Sequence, residues 1–229
     1  MKIAIAAFAK TVGHSAVKTR LAKTVGTKLA EAFYVQSVDC VQELLTEAAE
    51  HSGAELCPYW VIAEEGLEGK WSERQFTAHW TGEGDLGARL ANVSERFFQD
   101  HDAVMFIGTD SPQLNVKTII EAVQLMVGSP EQAVIGPATD GGFYLFGSTM
   151  PVARSIWEAI PYSRNDTLDK LQAQLDAVSL GYHLLSAEQD VDTIEDLKLL
   201  FANLNSRDFE ELSNAQTRLL AWLRENVAS

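Results

Sequence analysis

Cations crowd into 6-AAFAKTVGHSAVKTRLAK-23, where Lys10, Lys18, Arg20 and Lys23 follow directly on an apolar run, 3-IAIAAF-8. Fixed cations beside the backbone N–H groups of a helix start attract phosphate. The stretch is neither a GxxxxGK[ST] loop nor a GxGxxG turn, and a solvated basic face would also account for it. In 107-IGTDSPQL-114, Asp110 falls just past a second apolar run. A carboxylate there suits a divalent metal that is shared with substrate phosphates, or it caps the following turn. A third stretch, 189-QDVDTIEDL-197, offers Asp190 and Asp192, which share one side of an extended backbone. Asp192 or Thr193 would also serve as a helix N-cap, with Glu195 and Asp196 in the first turn.

Two glycine-rich stretches complete the set. In 136-GPATDGGFYLFG-147, Thr139 to Gly142 read as a tight hairpin turn. Glycine also lets a ligand approach the backbone, and Asp140 could then bond a ligand hydroxyl. In 82-GEGDLGARL-90, Asp85 reads either as a helix cap or, with Arg89, as a polar contact to a nucleoside. His14 lies in the basic loop, but the histidines show no metal or triad pairing. A Gly-x-Ser-x-Gly elbow is absent from the sequence, which argues against a hydrolase of that type.

The elements that must position these residues alternate. Strands are expected over 2–8, 56–63, 76–80, 103–108, 132–137, 142–147 and 182–186. Helices are expected from about 17, over 27–50, from the GEGD loop to about 98, over 116–126, near 151–159, and over 165–178. Pro58 marks its strand as an edge or an irregularity. Such alternation implies an α/β sheet with helices on both faces. From Ile194 the chain reads as helical, with Phe209, Leu212, Leu219, Leu220 and Leu223 on one side. That tail either packs on the core or forms a homodimer contact.

The 229 residues carry a formal net charge of −14, unevenly spread. No acid precedes Glu31, and that segment holds 6 of the 18 basic residues. An acidic body argues against a nucleic-acid partner, whereas a compact basic pocket suits one small anion. No run of 18 apolar residues points to a membrane span, and the short first strand does not read as a signal peptide. Cys40 and Cys57 read as two buried thiols of a cytoplasmic protein.

Taken in order, FAKTVGHSAVKTRLA, GEGDLGARL, GTDSPQL, GPATDGGFYLFG and DVDTIEDL resemble one family over roughly residues 1–200. It is the uncharacterised bacterial glycosyltransferase-like family of the nucleotide-diphospho-sugar transferase superfamily, related to 2-phospho-lactate and molybdenum-cofactor guanylyltransferases. The resemblance implies a GT-A fold: a three-layer α/β/α domain over 1–200 with a mostly parallel mixed sheet, followed by a helical appendage over 201–229. It implies a nucleotide-dependent transferase, moving a glycosyl group from a nucleotide-sugar or a nucleotidyl group from an NTP to a small acceptor. Lys10, Lys18 and Arg20 would bind the nucleotide together with Asp85 and Thr109. Asp110 and, less directly, Asp192 would hold Mg²⁺ or Mn²⁺. Lys18, Arg20 and Asp110 would carry the reaction, by positioning and charge stabilisation. Asp140, Gly141 and Gly142 would line the acceptor side. Family members usually carry Pro and Gly in the first loop, where this chain has Val12 and Ser15 or Ala16. That departure motivates an alternative, a non-catalytic nucleotide-binding or scaffold protein that keeps the fold.

Overall fold

The apolar run at the amino end becomes the centre of the sheet. The structure, a computed structural model, describes residues 1–71, 73–129 and 131–227. Its strands are β1 (Lys2–Ala9), β2 (Glu55–Ile62), β3 (Ala78–Trp80), β4 (Ala103–Ile107), β5 (Gln132–Pro137), β6 (Phe143–Ser148) and β7 (Gly181–Leu184). They lie in the order β3-β2-β1-β4-β6-β5-β7. Only β6 runs antiparallel to its neighbours. The hairpin expected at Thr139–Gly142 is the β5–β6 turn, with a register shift at Gly136/Pro137.

Pro58 sits in a strand second from the edge, not at the edge itself. The Trp60 N–H donates to the Thr77 carbonyl on the β3 side, so the nitrogen of Pro58, two residues earlier, also faces away from β1, ahead of the β3 pairing that begins at Trp60.

The helices are α1 (Thr19–Val25), α2 (Thr27–His51), α3 (Leu86–Phe97), α4 (Val116–Gly128), α5 (Arg154–Ala159), α6 (Thr167–Ala177), α7 (Ile194–Asn205) and α8 (Asn214–Asn226). Strand alternation sorts β1 between two cores. Ile3, Ile5 and Ala7 pack with α2 and α4, through residues such as Val41, Leu45 and Ile119. Ala4 and Ala6 face α3 and α5, where the larger Phe106 and Trp157 fill the space that the alanines leave. The outer side of α2 is covered in turn. Phe33 meets Leu197 and Leu200 of α7 and Leu219 and Leu223 of α8.

Residue 200 therefore falls inside α7 rather than at a boundary. Residues 228 and 229 of the helical tail lie outside the described residues. Phe209 is exposed, whereas Leu219, Leu220 and Leu223 are buried against α2 and α7. Cys40 is buried and Cys57 only half-buried, and both are free thiols. Among the described residues no helix is long and apolar enough to cross a membrane.

Candidate active site

Carboxyl ends of parallel strands, at the point where connections diverge to either side, form a natural ligand crevice. Here β1 is that point, because β2 and β4 leave it in opposite directions. A cleft of about 810 Å³ opens there. Its walls include Lys10, Lys18, Arg20, Thr109, Asp110, Asp140, Gly142, Asp190 and Asp192.

Residues far apart in sequence hold the basic loop in place. The Lys10 N–H donates to Tyr34 Oη (2.7 Å) and the Thr11 N–H to Glu64 (3.0 Å). Trp71 Nε1 donates to the Thr11 hydroxyl (3.0 Å). Burial pushes the Tyr34 phenol up to about 12, so it remains a neutral hydroxyl. His14 turns away from the cleft to Lys70.

The two cations at the start of α1 have different surroundings. Lys18 takes a left-handed backbone conformation (φ 45°) at the helix N-cap. Its side chain is 2% exposed. Its ammonium pairs with Asp110 Oδ1, donates to the Val191 carbonyl (2.7 Å) and lies 3.5 Å from Asp192 Oδ1. The carbonyl thus accepts a hydrogen bond from the ammonium, and the two carboxylates are its ion-pair partners. Arg20 is 63% exposed and holds Asp192 Oδ2 only loosely, at 3.5 Å.

Thr193 resolves the choice over the DVDT helix start. It is the N-cap of α7, in a reciprocal capping box with Asp196. Asp192 is thereby left free to face Lys18 and Arg20. Asp190 accepts a 2.5 Å bond from the Ser111 hydroxyl. Burial, reinforced by the charges of Asp110 and Asp140, pushes its carboxyl up to about 6 against the opposing Ser111 bond and Lys18 charge.

The remaining expected site residues divide. Thr109 is buried, and its carbonyl accepts from Ser37 (2.5 Å). Asp140 lines the cleft and accepts from the Gly142 N–H (2.9 Å). Gly142 lines the cleft and Gly141 does not. Gly141 has φ 92°, and an added Cβ would collide with the Asn165 carbonyl. Asp85 is exposed, caps α3 by accepting from Ala88 N–H (3.0 Å), and does not line the cleft. Arg89, one turn on, does line it.

The sequence reading missed 162-YSR-164, which flanks the Asp140 turn and also lines the cleft. An arginine within a short polar turn between two helices was the available signal. It also missed Gln216 of α8, which is 5% exposed. The Gln216 amide donates to the carbonyls of Pro112 and Leu114 (both 3.0 Å), clamping the loop that carries Asp110.

The donor set fits a hard divalent cation. Asp110 and Asp192 have side chains 48% and 38% exposed, and Mg²⁺ commonly takes one or two carboxylates together with phosphate oxygens and water. Among the described residues no group of three or more His, Cys, Asp and Glu side chains could hold a metal ion. The other ligands would therefore come from phosphate and water. The Lys18 ammonium already stands between the two carboxylates.

The fold is that of the nucleotide-diphospho-sugar transferase class. Residues 44–164 match DUF2064, described as uncharacterized protein conserved in bacteria, and the chain belongs to that family. None of the curated proteins matches it. A solved structure from Desulfovibrio desulfuricans G20, provisionally assigned as a nucleotide-diphospho-sugar transferase, is 25% identical with a TM-score of 0.84. That alignment covers 100% of this chain and 98% of that one. A cytidylyltransferase from Leptospira borgpetersenii is 15% identical over 100% of this chain and 96% of that one, with a TM-score of 0.54. Glucosyl-3-phosphoglycerate synthase from Mycobacterium tuberculosis, solved with Mn²⁺, UDP and glucosyl-3-phosphoglycerate, is 10% identical with a TM-score of 0.50. It aligns over 99% of this chain and 80% of that one.

Proposed function

We propose that the protein is a metal-assisted, nucleotide-dependent transferase acting on a small acceptor in the cleft at the end of β1. The single observation that carries this reading is the meeting of a cationic loop with Asp110 and Asp192 at the carboxyl ends of parallel strands. The fold shared with nucleotide-dependent transferases supports it.

Arg20 and Lys10, exposed at the mouth, meet the nucleotide's phosphates. Lys18 sets the charge and position of Asp110 and Asp192 from behind. Those two carboxylates would hold Mg²⁺ or Mn²⁺, which when bound supplies charge neutralisation at the phosphate that leaves. Asp140 and Gly142 face the acceptor. No protein nucleophile is required, because holding donor and acceptor in register supplies much of the acceleration.

The transferred group is either glycosyl or nucleotidyl, and the products distinguish them. The test is calorimetric binding of NTPs and nucleotide-sugars with and without Mn²⁺, followed by product analysis with candidate acceptors. Release of pyrophosphate identifies nucleotidyl transfer, and release of an NDP identifies glycosyl transfer. Failure of every nucleotide to bind in the presence of metal would overturn the reading.

A further inference from the structure

We propose that Arg89 reads the nucleobase, and that the cleft prefers a nucleotide with a ring carbonyl at the purine 6- or pyrimidine 4-position, guanine or uracil, over adenine or cytosine. The proposal rests on the nucleotide reading above and adds the identity of the base.

Arg89 is locked in place. Its Nε donates to the Gly84 carbonyl (3.0 Å), and its Nη1 donates to the Ala63 carbonyl (2.9 Å) and the Thr81 hydroxyl (3.1 Å). Those partners follow the ends of β2 and β3, so the guanidinium ties the two strand ends together at the cleft wall. Ala63, Thr81 and Arg89 all line the cleft. Of the five N–H donors of a guanidinium, those on Nη2 have no hydrogen-bond partner among the described residues. They remain for a ligand.

The charge distribution places the base on this side. Asp110 follows β4, and Asp140, Asp190 and Asp192 follow β5 and β7, so all four stand on the opposite side of β1 from β2 and β3. On the β2–β3 side the wall is uncharged apart from Arg89, and Leu86 and Leu90 offer apolar contact for a flat ring. Strands are spaced by about 4.8 Å. The step from the phosphate-binding loop after β1 to the end of β3 is therefore roughly 10 Å, within reach of a nucleotide whose phosphates lie at that loop.

A guanidinium donates and never accepts. Guanine presents O6 and N7 on the relevant edge, and uracil presents O4, all of them acceptors. Adenine and cytosine place amino donors at the corresponding positions, and donor facing donor is a penalty that a site can use to reject a ligand. A charge-assisted hydrogen bond made to one base and lost with another is worth roughly tenfold or more in affinity.

The test uses the full chain and the nucleoside diphosphates, the portion common to both candidate donors. GDP, UDP, ADP and CDP are titrated calorimetrically with Mn²⁺. GDP or UDP is expected to bind at least about tenfold tighter than ADP and CDP, and the preference should shrink to a few-fold in Arg89→Gln. Because Arg89 also ties β2 to β3, the ligand-side comparison decides if that variant fails to fold. Inosine diphosphate, which keeps the 6-oxo group, should bind like GDP, whereas the 2-aminopurine analogue, which lacks it, should bind at least about tenfold more weakly than GDP. If UDP is the tighter ligand, the UDP–CDP pair isolates the 4-position in the same way. Binding of all four diphosphates within a few-fold, or tightest binding of ADP or CDP, overturns the assignment of Arg89 and leaves the nucleotide reading standing. Absence of any binding overturns both.

Discussion

Lys18 and Asp110 form an ion pair whose partners differ sharply in exposure: the lysine side chain is 2% exposed and the carboxylate 48%. The ammonium is held from behind by the Val191 carbonyl. The carboxylate keeps a solvent-facing side. Lys18 is therefore a fixed counter-charge built into the wall, and Asp110 is the member of the pair that stays open to the cleft.

Removing that counter-charge has two expected effects. Lys18→Met leaves the Val191 carbonyl without its donor and Asp110 and Asp192 without their shared cation. A loss of about 1–3 kcal/mol in denaturant stability is expected for an orphaned buried acceptor. The freed carboxylates should also bind Mn²⁺ more tightly in the absence of nucleotide, as read by calorimetry. Unchanged Mn²⁺ affinity would show that Asp110 and Asp192 are not the metal-holding pair.

Arg20 should behave in the opposite way. It is exposed and its contact with Asp192 is long, so Arg20→Ala should change stability by no more than about 0.5 kcal/mol. Loss of a charge-assisted bond to phosphate should weaken nucleotide binding by about 1.5–3 kcal/mol. Wild-type nucleotide affinity in this variant would return Arg20 to the solvated surface.

The raised carboxyl of Asp190 sets a pH dependence with a definite sign. A carboxyl whose folded value lies above its unfolded one stabilises the fold while protonated. That stabilisation is complete below about pH 4, and it is lost as pH rises through about 6. Asp190→Asn stays neutral and keeps an acceptor for Ser111. Without metal or nucleotide, it should exceed the parent in stability by up to about 2–3 kcal/mol above pH 7, and the gap should close toward pH 4. Thermal melts across that range decide it, and coincident curves at pH 8 would contradict the burial argument.

Gly141 is where the β5–β6 turn meets the chain before α6. Its carbonyl accepts from Leu168 N–H (2.8 Å). Its positive φ and the nearby Asn165 carbonyl leave no room for a side chain. Gly141→Ala should cost more than about 1 kcal/mol. Gly142→Ala should cost less, because its added Cβ would meet nothing closer than the Asp140 carboxylate at 3.1 Å. Equal losses in chemical denaturation would refute the distinction.

The fold was largely legible because its signals are local. Ile3, Ile5, Val104 and Phe106 lie in runs too apolar to be anything but buried strands, and the Asp-Gly-Gly turn marks a hairpin wherever it falls. Strand order was not legible, since β6 inserts between β4 and β5 and β7 forms the edge beyond β5, and pairing of that kind is decided across long sequence separations. At the site, residue types pointed to the right neighbourhood, but the environment of each side chain depends on the tertiary fold. Lys18 and Arg20 sit two residues apart and look alike in sequence, yet a left-handed turn at Lys18 sends one inward while the other stays outside. In the GEGD stretch the sequence favoured Asp85 as a nucleotide contact and named Arg89 only beside it. The helix start claims Asp85, and the ends of β2 and β3 fix Arg89 at the cleft.

The Gln216 clamp spans 104 residues of chain to reach Pro112. On a ribosome, β1, β2 and β4 emerge and can pair long before α8 has been made. Until α8 docks, the carbonyls of Pro112 and Leu114 have only water as partner, and the loop bearing Asp110 is held at one end. Val191, the acceptor behind Lys18, also arrives late, just upstream of α7. A nascent chain can thus complete the centre of its sheet while the cleft is still unassembled. Closing the cleft thus falls to the last-made part of the chain rather than to the early folding core.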